Sequence, residues 1–163
     1  MSYYTAHEAT GIEKGDDVEE TLTWLVRYGH VAFAACWLGG YLGLALWVVP
    51  FLERNRNAAV GQLAIGAARF ISFVSLFTIL FGALLIWRTR GYGNLFDGEW
   101  GMIVITSIVI AIALAGIGDG LLRPALQRLI DTGNGSDARR WTYAGLGLTL
   151  LAIGLMTRAV YAS

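Results

Sequence analysis

The sequence predicts an all-α integral membrane protein folded as an antiparallel four-helix bundle, and three observations lead to this fold class. Hydrophobic residues make up 56% of the 163 residues, which would leave a soluble domain of this size poorly solvated. Only 15% of the residues are charged. Four windows contain no charged residue and approach the ~20 residues that a helix needs to cross a bilayer: 31–52, 70–87, 100–118 and 141–157.

The chain divides into a polar, acidic N-terminal tail over residues 1–23 and a domain of four transmembrane helices over residues 24–163. The tail carries the carboxylates of Glu8, Glu13, Asp16, Asp17, Glu19 and Glu20. It lacks the basic start and apolar centre of a signal peptide, so we expect it to remain in the mature protein.

Aromatic and basic residues border the four windows, in the order Trp24, Arg27, Tyr28, Trp87, Arg88, Arg90, Trp100 and Trp141. This pattern is typical of an aromatic belt with arginines that reach the headgroups. Pro50 is expected to bend the end of the first helix, and the third is expected to run past its window as LLRPALQRLI. Because the loops are short, consecutive helices should be antiparallel neighbours.

The distribution of basic residues predicts the orientation of the bundle. One side receives Arg54, Arg56, Arg69, Arg123, Arg128, Arg139 and Arg140, and the other receives Lys14, Arg27, Arg88, Arg90 and Arg158. The positive-inside rule then places both termini on the outer, non-cytoplasmic side. The formal net charge of zero argues against a nucleic acid partner.

His30, one of two histidines in the chain, lies at the start of the first window and is the candidate ligand for a metal centre. A neutral imidazole binds haem iron or copper without bringing a charge into lipid. Helical periodicity places Ala34, Trp37 and Tyr41 on the same face as His30. A face with one small residue next to the imidazole and two large aromatic rings beyond it suits a planar ligand. The alternative is an interfacial histidine that bonds a lipid headgroup or a neighbouring helix.

A haem that transfers electrons usually has a second axial ligand. Met156 is the only intramembrane alternative at comparable depth, although a methionine there also serves as core filler. A five-coordinate haem, or a ligand from another protomer or chain, are the remaining options. Arg158 or Arg88 would neutralise the propionates, and Arg158 has Glu99, a lipid phosphate or simple snorkelling as alternatives.

Three segments resemble the CopD-like and HemJ-like group of small membrane proteins: YGHVAFAACWLGGYLGLALWVVPFLER, RFISFVSLFTILFGALLIW and LLRPALQRL. The resemblance covers residues 24–130. It implies a four-helix bundle that binds a b-type haem or porphyrin through His30, or a role in copper import. The HemJ-like branch uses a lysine in its third helix, whereas Lys14 is the only lysine here, which weighs against porphyrinogen oxidase activity.

These residues lead to three functional hypotheses. The first is a b-type haem protein or subunit that transfers electrons, with a quinone or a partner subunit as the other redox member. The second is a cofactor-free structural subunit that contacts membrane lipid and either other membrane subunits or further copies of itself. Copper transport is the third, weakened because the soft ligands Cys36, Met102 and Met156 differ in depth. Common catalytic motifs are missing, so the sequence leaves enzymatic activity open.

Overall fold

The structure, a computed structural model, describes the backbone of residues 5–162 and the side chains of residues 17–162. Its α-helices are α1 (Thr5–Gly43), α2 (Val49–Asn55), α3 (Ala58–Thr89), α4 (Gly98–Gly116), α5 (Arg123–Thr132) and α6 (Ser136–Ala159). Residues 5–162 contain no strand, so the all-α class is confirmed.

Two turns of π-helix, Leu44–Val48 and Ile117–Leu122, join α1 to α2 and α4 to α5 without ending the helix. The structure therefore contains four helices that are long and apolar enough to cross a membrane: Asp17–Asn55, Ala58–Thr89, Gly98–Thr132 and Ser136–Ala159. This confirms the four apolar windows and the extension of the third helix. The predicted boundary at residue 23 falls inside α1; residues 1–4 of the tail lie outside the described chain, and the division stays a prediction.

Each π turn ends two residues before a proline. Proline has no N–H, and its ring clashes with the carbonyl four residues earlier in a regular helix. The wider turn avoids this conflict: the N–H of Val49 bonds the carbonyl of Leu44, and the N–H of Arg123 bonds that of Gly118. The prolines that follow are Pro50 and Pro124.

The two proline turns continue in the same pattern, Pro-x-Leu-x-Arg. Leu52 and Leu126 point into the core and are 2% and 0% exposed, while Arg54 and Arg128 end the pattern at the surface. The first and third long helices therefore repeat one local structure, a repeat that the sequence analysis did not detect.

Glycines allow α1 to approach α3. A Cβ added at Gly29 would lie 2.7 Å from the ring of Phe81, and one at Gly40 would lie 2.5 Å from Ile71. Small residues serve this purpose at helix contacts in membranes. The contacts also establish the register, in which the His30 end of α1 lies beside the C-terminal end of α3.

The interior of the bundle is filled unevenly. Large side chains that are less than 2% exposed lie from the middle of the bundle to the proline turns: Tyr41, Leu44, Val49, Ile71, Val74, Leu114, Leu122, Leu126, Leu129 and Thr142. We call the cluster around them the main core. At the other end a smaller cluster, the minor core, consists of Ile86, Trp100, Ile103, Val104, Ala159 and Ala162. Within the described chain, α1 contributes nothing to the minor core.

Gly145→Ala is expected to destabilise the bundle, because a methyl group there overlaps the buried ring of Tyr41. Such overpacking typically costs about 1–3 kcal/mol. The control is Gly147→Ala, since a Cβ at that position meets no atom within 4 Å. Thermal unfolding in detergent, followed by circular dichroism, measures both variants. Equal unfolding midpoints would contradict the contact between α1 and α6.

Candidate functional site

His30 lies in the contact between α1 and α3. Its Nδ1 is 3.0 Å from the carbonyl oxygen of Thr78. The ring faces Gly82, where an added Cβ would lie 3.0 Å from Cε1 and 3.3 Å from Nδ1 of His30. Of the alternatives open from the sequence, the bond to a neighbouring helix is therefore present.

The hydrogen bond to Thr78 determines which ring nitrogen of His30 carries the proton. A carbonyl oxygen only accepts, so Nδ1 must be the donor. In the neutral ring, Nε2 then keeps its lone pair. Histidines that bind metals commonly have this arrangement, with the other ring N–H donated to a backbone carbonyl.

Aromatic rings flank the His30 turn of α1. Phe33 stacks on Phe77 and Phe81 of α3, with ring centroids 5.2 Å and 5.5 Å apart. These stacked rings pack the His30 turn of α1 against α3, while the imidazole itself contacts Thr78 and Gly82. The sequence analysis did not assign Thr78, Gly82 or Phe33 to the site.

Trp37 and Tyr41 share the face of α1 that carries His30, but they lie in the main core. Their exposed fractions are 4% and 0%. The Tyr41 hydroxyl donates to the carbonyl of Leu114 at 3.4 Å, and its ring packs on Gly145. We expected both rings to border a planar ligand; in the structure both belong to the main core, and Tyr41 contacts α4 and α6. The Trp37 Nε1–H is buried and has no partner among the described residues.

Met156 lies on α6 at a depth comparable to that of His30. Gly145 of α6 contacts Tyr41 of α1, which relates the two antiparallel helices. His30 comes eleven residues before Tyr41, and Met156 comes eleven residues after Gly145. Eleven residues are about three helical turns, so each residue returns to the face of its own helix that makes this contact. Both side chains are half-buried.

Both arginines that we expected to neutralise the propionates, Arg88 and Arg158, form ion pairs with carboxylates of the chain. Nε and Nη2 of Arg158 donate to the two oxygens of Glu99 at 2.8 Å and 3.1 Å. Arg88 pairs with Glu19, and its Nε donates to the Thr23 hydroxyl at 3.2 Å. Among the alternatives for Arg158, the pair with Glu99 is the one present.

Asp119 lies at the end of the bundle opposite His30, in the π turn between α4 and α5. The structure pairs it with Arg123, one helical turn away, at 2.9 Å. Within residues 17–162 there is no ion pair between Asp119 and Arg69.

The donors expected for copper do not converge. Among residues 17–162, no three His, Cys, Asp or Glu side chains come together as a metal site. Cys36 is exposed, and Met102 is 63% exposed. His30 and Met156 are therefore the donors on which a metal centre would depend.

Comparisons of the chain with protein-family models, with curated proteins and with solved structures find no match. The resemblance to the CopD-like and HemJ-like group stays a prediction. The functional argument consequently rests on the residues of the bundle.

The neutral His30 ring is expected to carry its proton on Nδ1. Nitrogen-15 NMR of protein labelled in histidine measures this directly, in a His7→Gln background that leaves one signal. Gly82→Ala should shift the signal, because the new methyl group crowds the ring and weakens the bond to Thr78. Gly66→Ala on the same helix is the control, since its Cβ meets no atom within 4 Å. A ring protonated only on Nε2 would contradict the geometry.

Proposed function

We propose that this chain is a multi-pass membrane protein that binds a b-type haem through Nε2 of His30 and transfers electrons. The observation that carries the proposal is the bond from Nδ1 to the Thr78 carbonyl, which leaves Nε2 as the nitrogen with a free lone pair. A neutral ligand of this kind brings no charge into the bilayer.

The packing around His30 supports the proposal. The fully buried residues of the main core end before this depth, where Phe33 and Leu155 pack against it only in part, and the minor core joins α3, α4 and α6 without α1. Side chains on either side of this region are half-buried instead of buried, among them Phe33, Phe81, Leu155 and Met156. A planar group between the helix pairs would cover apolar surface that the chain itself leaves partly open.

The residues of this region fit part of what a haem needs. His30 and Met156 would be the residues that hold the iron, since both lie at comparable depth on α1 and α6. Trp37 and Tyr41 belong to the main core and would form the boundary of the site on the side of the proline turns. Arg88 and Arg158 would meet the propionates only by sharing their present carboxylate partners, Glu19 and Glu99.

The chain has specific roles in this scheme. The carbonyl of Thr78 orients the imidazole, and Gly82 leaves space for the ring. A bound haem supplies one-electron redox chemistry, with a potential tuned by its axial ligands. A membrane quinone or a partner subunit would exchange the electron.

The second candidate is a cofactor-free structural subunit. Two observations favour it. The hydrogen bond of His30 joins α1 to α3, and Arg88 and Arg158 form ion pairs with carboxylates of the chain itself. In that case the half-buried surface would contact other subunits or a second copy of the chain. The two candidates differ in whether the purified protein contains a chromophore.

Protein purified after expression with haem supplied should show a Soret band, and His30→Ala should lose it. The control is His7→Ala, which removes the other histidine of the chain and should leave the spectrum unchanged. Absorption of the reduced and oxidised protein measures both variants. A colourless wild-type protein, or a Soret band that survives in His30→Ala, would falsify the haem proposal.

Met156→Ala tests the second ligand separately. The variant should keep its haem, but the reduced spectrum should change from low-spin to five-coordinate high-spin, because one axial bond is lost. Met102→Ala is the control, since Met102 is 63% exposed. An unchanged low-spin spectrum would exclude Met156 and indicate a ligand from another chain.

We further propose that both termini, and with them His30, lie on the non-cytoplasmic side. The excess of arginine at the opposite end supports this orientation. A membrane-impermeant maleimide applied to intact cells should label Gly93→Cys and spare Asn134→Cys, both in a Cys36→Ala background. These positions lie in exposed turns at opposite ends of the bundle. The reverse labelling pattern would invert the orientation.

A further inference from the structure

The surface of the first proline turn contains an open groove of about 500 Å³, between the end of the first long helix and the start of α3. Trp47, Pro50, Phe51 and Val60 form its apolar part, and Arg54 lies at one end. Trp47 is 68% exposed and Phe51 42% exposed. The groove lies at the opposite end of the bundle from His30 and does not depend on the proposed haem.

The depth of the groove follows from the register of α1 and α3. Gly40 contacts Ile71, so Arg69, two residues earlier on α3, lies level with about Leu42. Trp47 lies five residues further along, roughly 7.5 Å at the rise of a helix. A charged side chain in a long apolar helix marks the approach to the headgroup region. The exposed rings of the groove therefore lie where the bilayer changes from hydrocarbon to headgroups.

Arg54 follows Trp47 by seven residues, which is about two helical turns or roughly 10.5 Å. Trp47, Phe51 and Arg54 thus form one stripe that runs from apolar rings to a cation, away from the centre of the bilayer. A molecule that covers the whole stripe must be apolar at one end and anionic at the other.

The second proline turn shows what is special about Arg54. Its counterpart Arg128 is neutralised by the chain itself, through Asp137 at 3.0 Å. The guanidinium of Arg54 contacts no carboxylate and donates no hydrogen bond to any residue in 17–162. The same backbone pattern therefore has a carboxylate partner at one copy and, among residues 17–162, none at the other.

We propose that this groove binds an anionic phospholipid of the surrounding bilayer. The acyl chain and glycerol would cover Trp47 and Phe51, and the phosphate would accept hydrogen bonds from the guanidinium of Arg54. Guanidinium groups suit phosphate because they present several N–H donors in one plane. Trp47 matches the known preference of tryptophan for this depth of the membrane.

Native mass spectrometry of the purified full chain, incubated with phosphatidylglycerol or with phosphatidylcholine, tests the proposal. The wild type should retain phosphatidylglycerol in preference. Arg54→Gln should reduce that retention roughly tenfold, the factor expected for one charge-assisted hydrogen bond. The control is Arg140→Gln, because Arg140 is exposed on the same side, lies over the ring of Trp141 at 5.2 Å and does not line this groove.

Two further measurements distinguish a lipid phosphate from free inorganic phosphate as the anion. Trp47→Ala should lower retention of the lipid while Arg54 is still present, and inorganic phosphate should not displace it. Displacement by phosphate would assign the site to a free anion. Equal losses in the Arg54 and Arg140 variants, equal retention of both lipids, or a co-purified subunit lost with Arg54→Gln would each overturn the proposal.

Discussion

The bundle depends on the close approach of α1 to α3. The four apolar helices suggest that the bundle lies in a bilayer. Lipid tails are as apolar as the helix surfaces, so in that environment packing at short range, and not the hydrophobic effect, would bring the helices together. Gly29 and Gly40 on α1 and Gly82 on α3 remove the side chains that would keep the backbones apart. The same proximity brings the His30 ring within hydrogen-bond distance of a main-chain carbonyl. Packing and the geometry of the candidate ligand therefore have one origin.

The proline turns explain why the opposite end of the bundle is better packed. Each π turn redirects a long helix just before Pro50 or Pro124, and the short helices that follow place Leu52 and Leu126 inside. α5 is strongly amphipathic: Ala125, Leu126 and Leu129 are buried, whereas Gln127, Arg128 and Asp131 are exposed. This end of the bundle, with polar residues outside and leucine inside, resembles a soluble helical bundle, in which burial of apolar surface stabilises the contacts between helices.

Length and hydropathy were sufficient to predict the four helices, and periodicity was sufficient to relate the depths of His30 and Met156. The rotation of each helix was harder to predict, because a helix that is apolar all round has no polar face to orient it. Trp37 and Tyr41 were therefore placed on the correct face of α1 and given the wrong surroundings. The Thr78 carbonyl could not be anticipated, since every residue has one and only tertiary contact selects it. The π turns were missed for a related reason, as a proline indicates a bend without specifying the hydrogen bonds that absorb it.

Uneven filling of the interior also bears on local stability. Tyr41, Leu44, Leu122 and Leu126 are enclosed from all sides, so amides of the surrounding turns can exchange hydrogen only through a large cooperative opening. Near His30 few side chains are fully enclosed, and a smaller opening suffices. The amides at the end that contains the proline turns are therefore expected to exchange more slowly than those around His30.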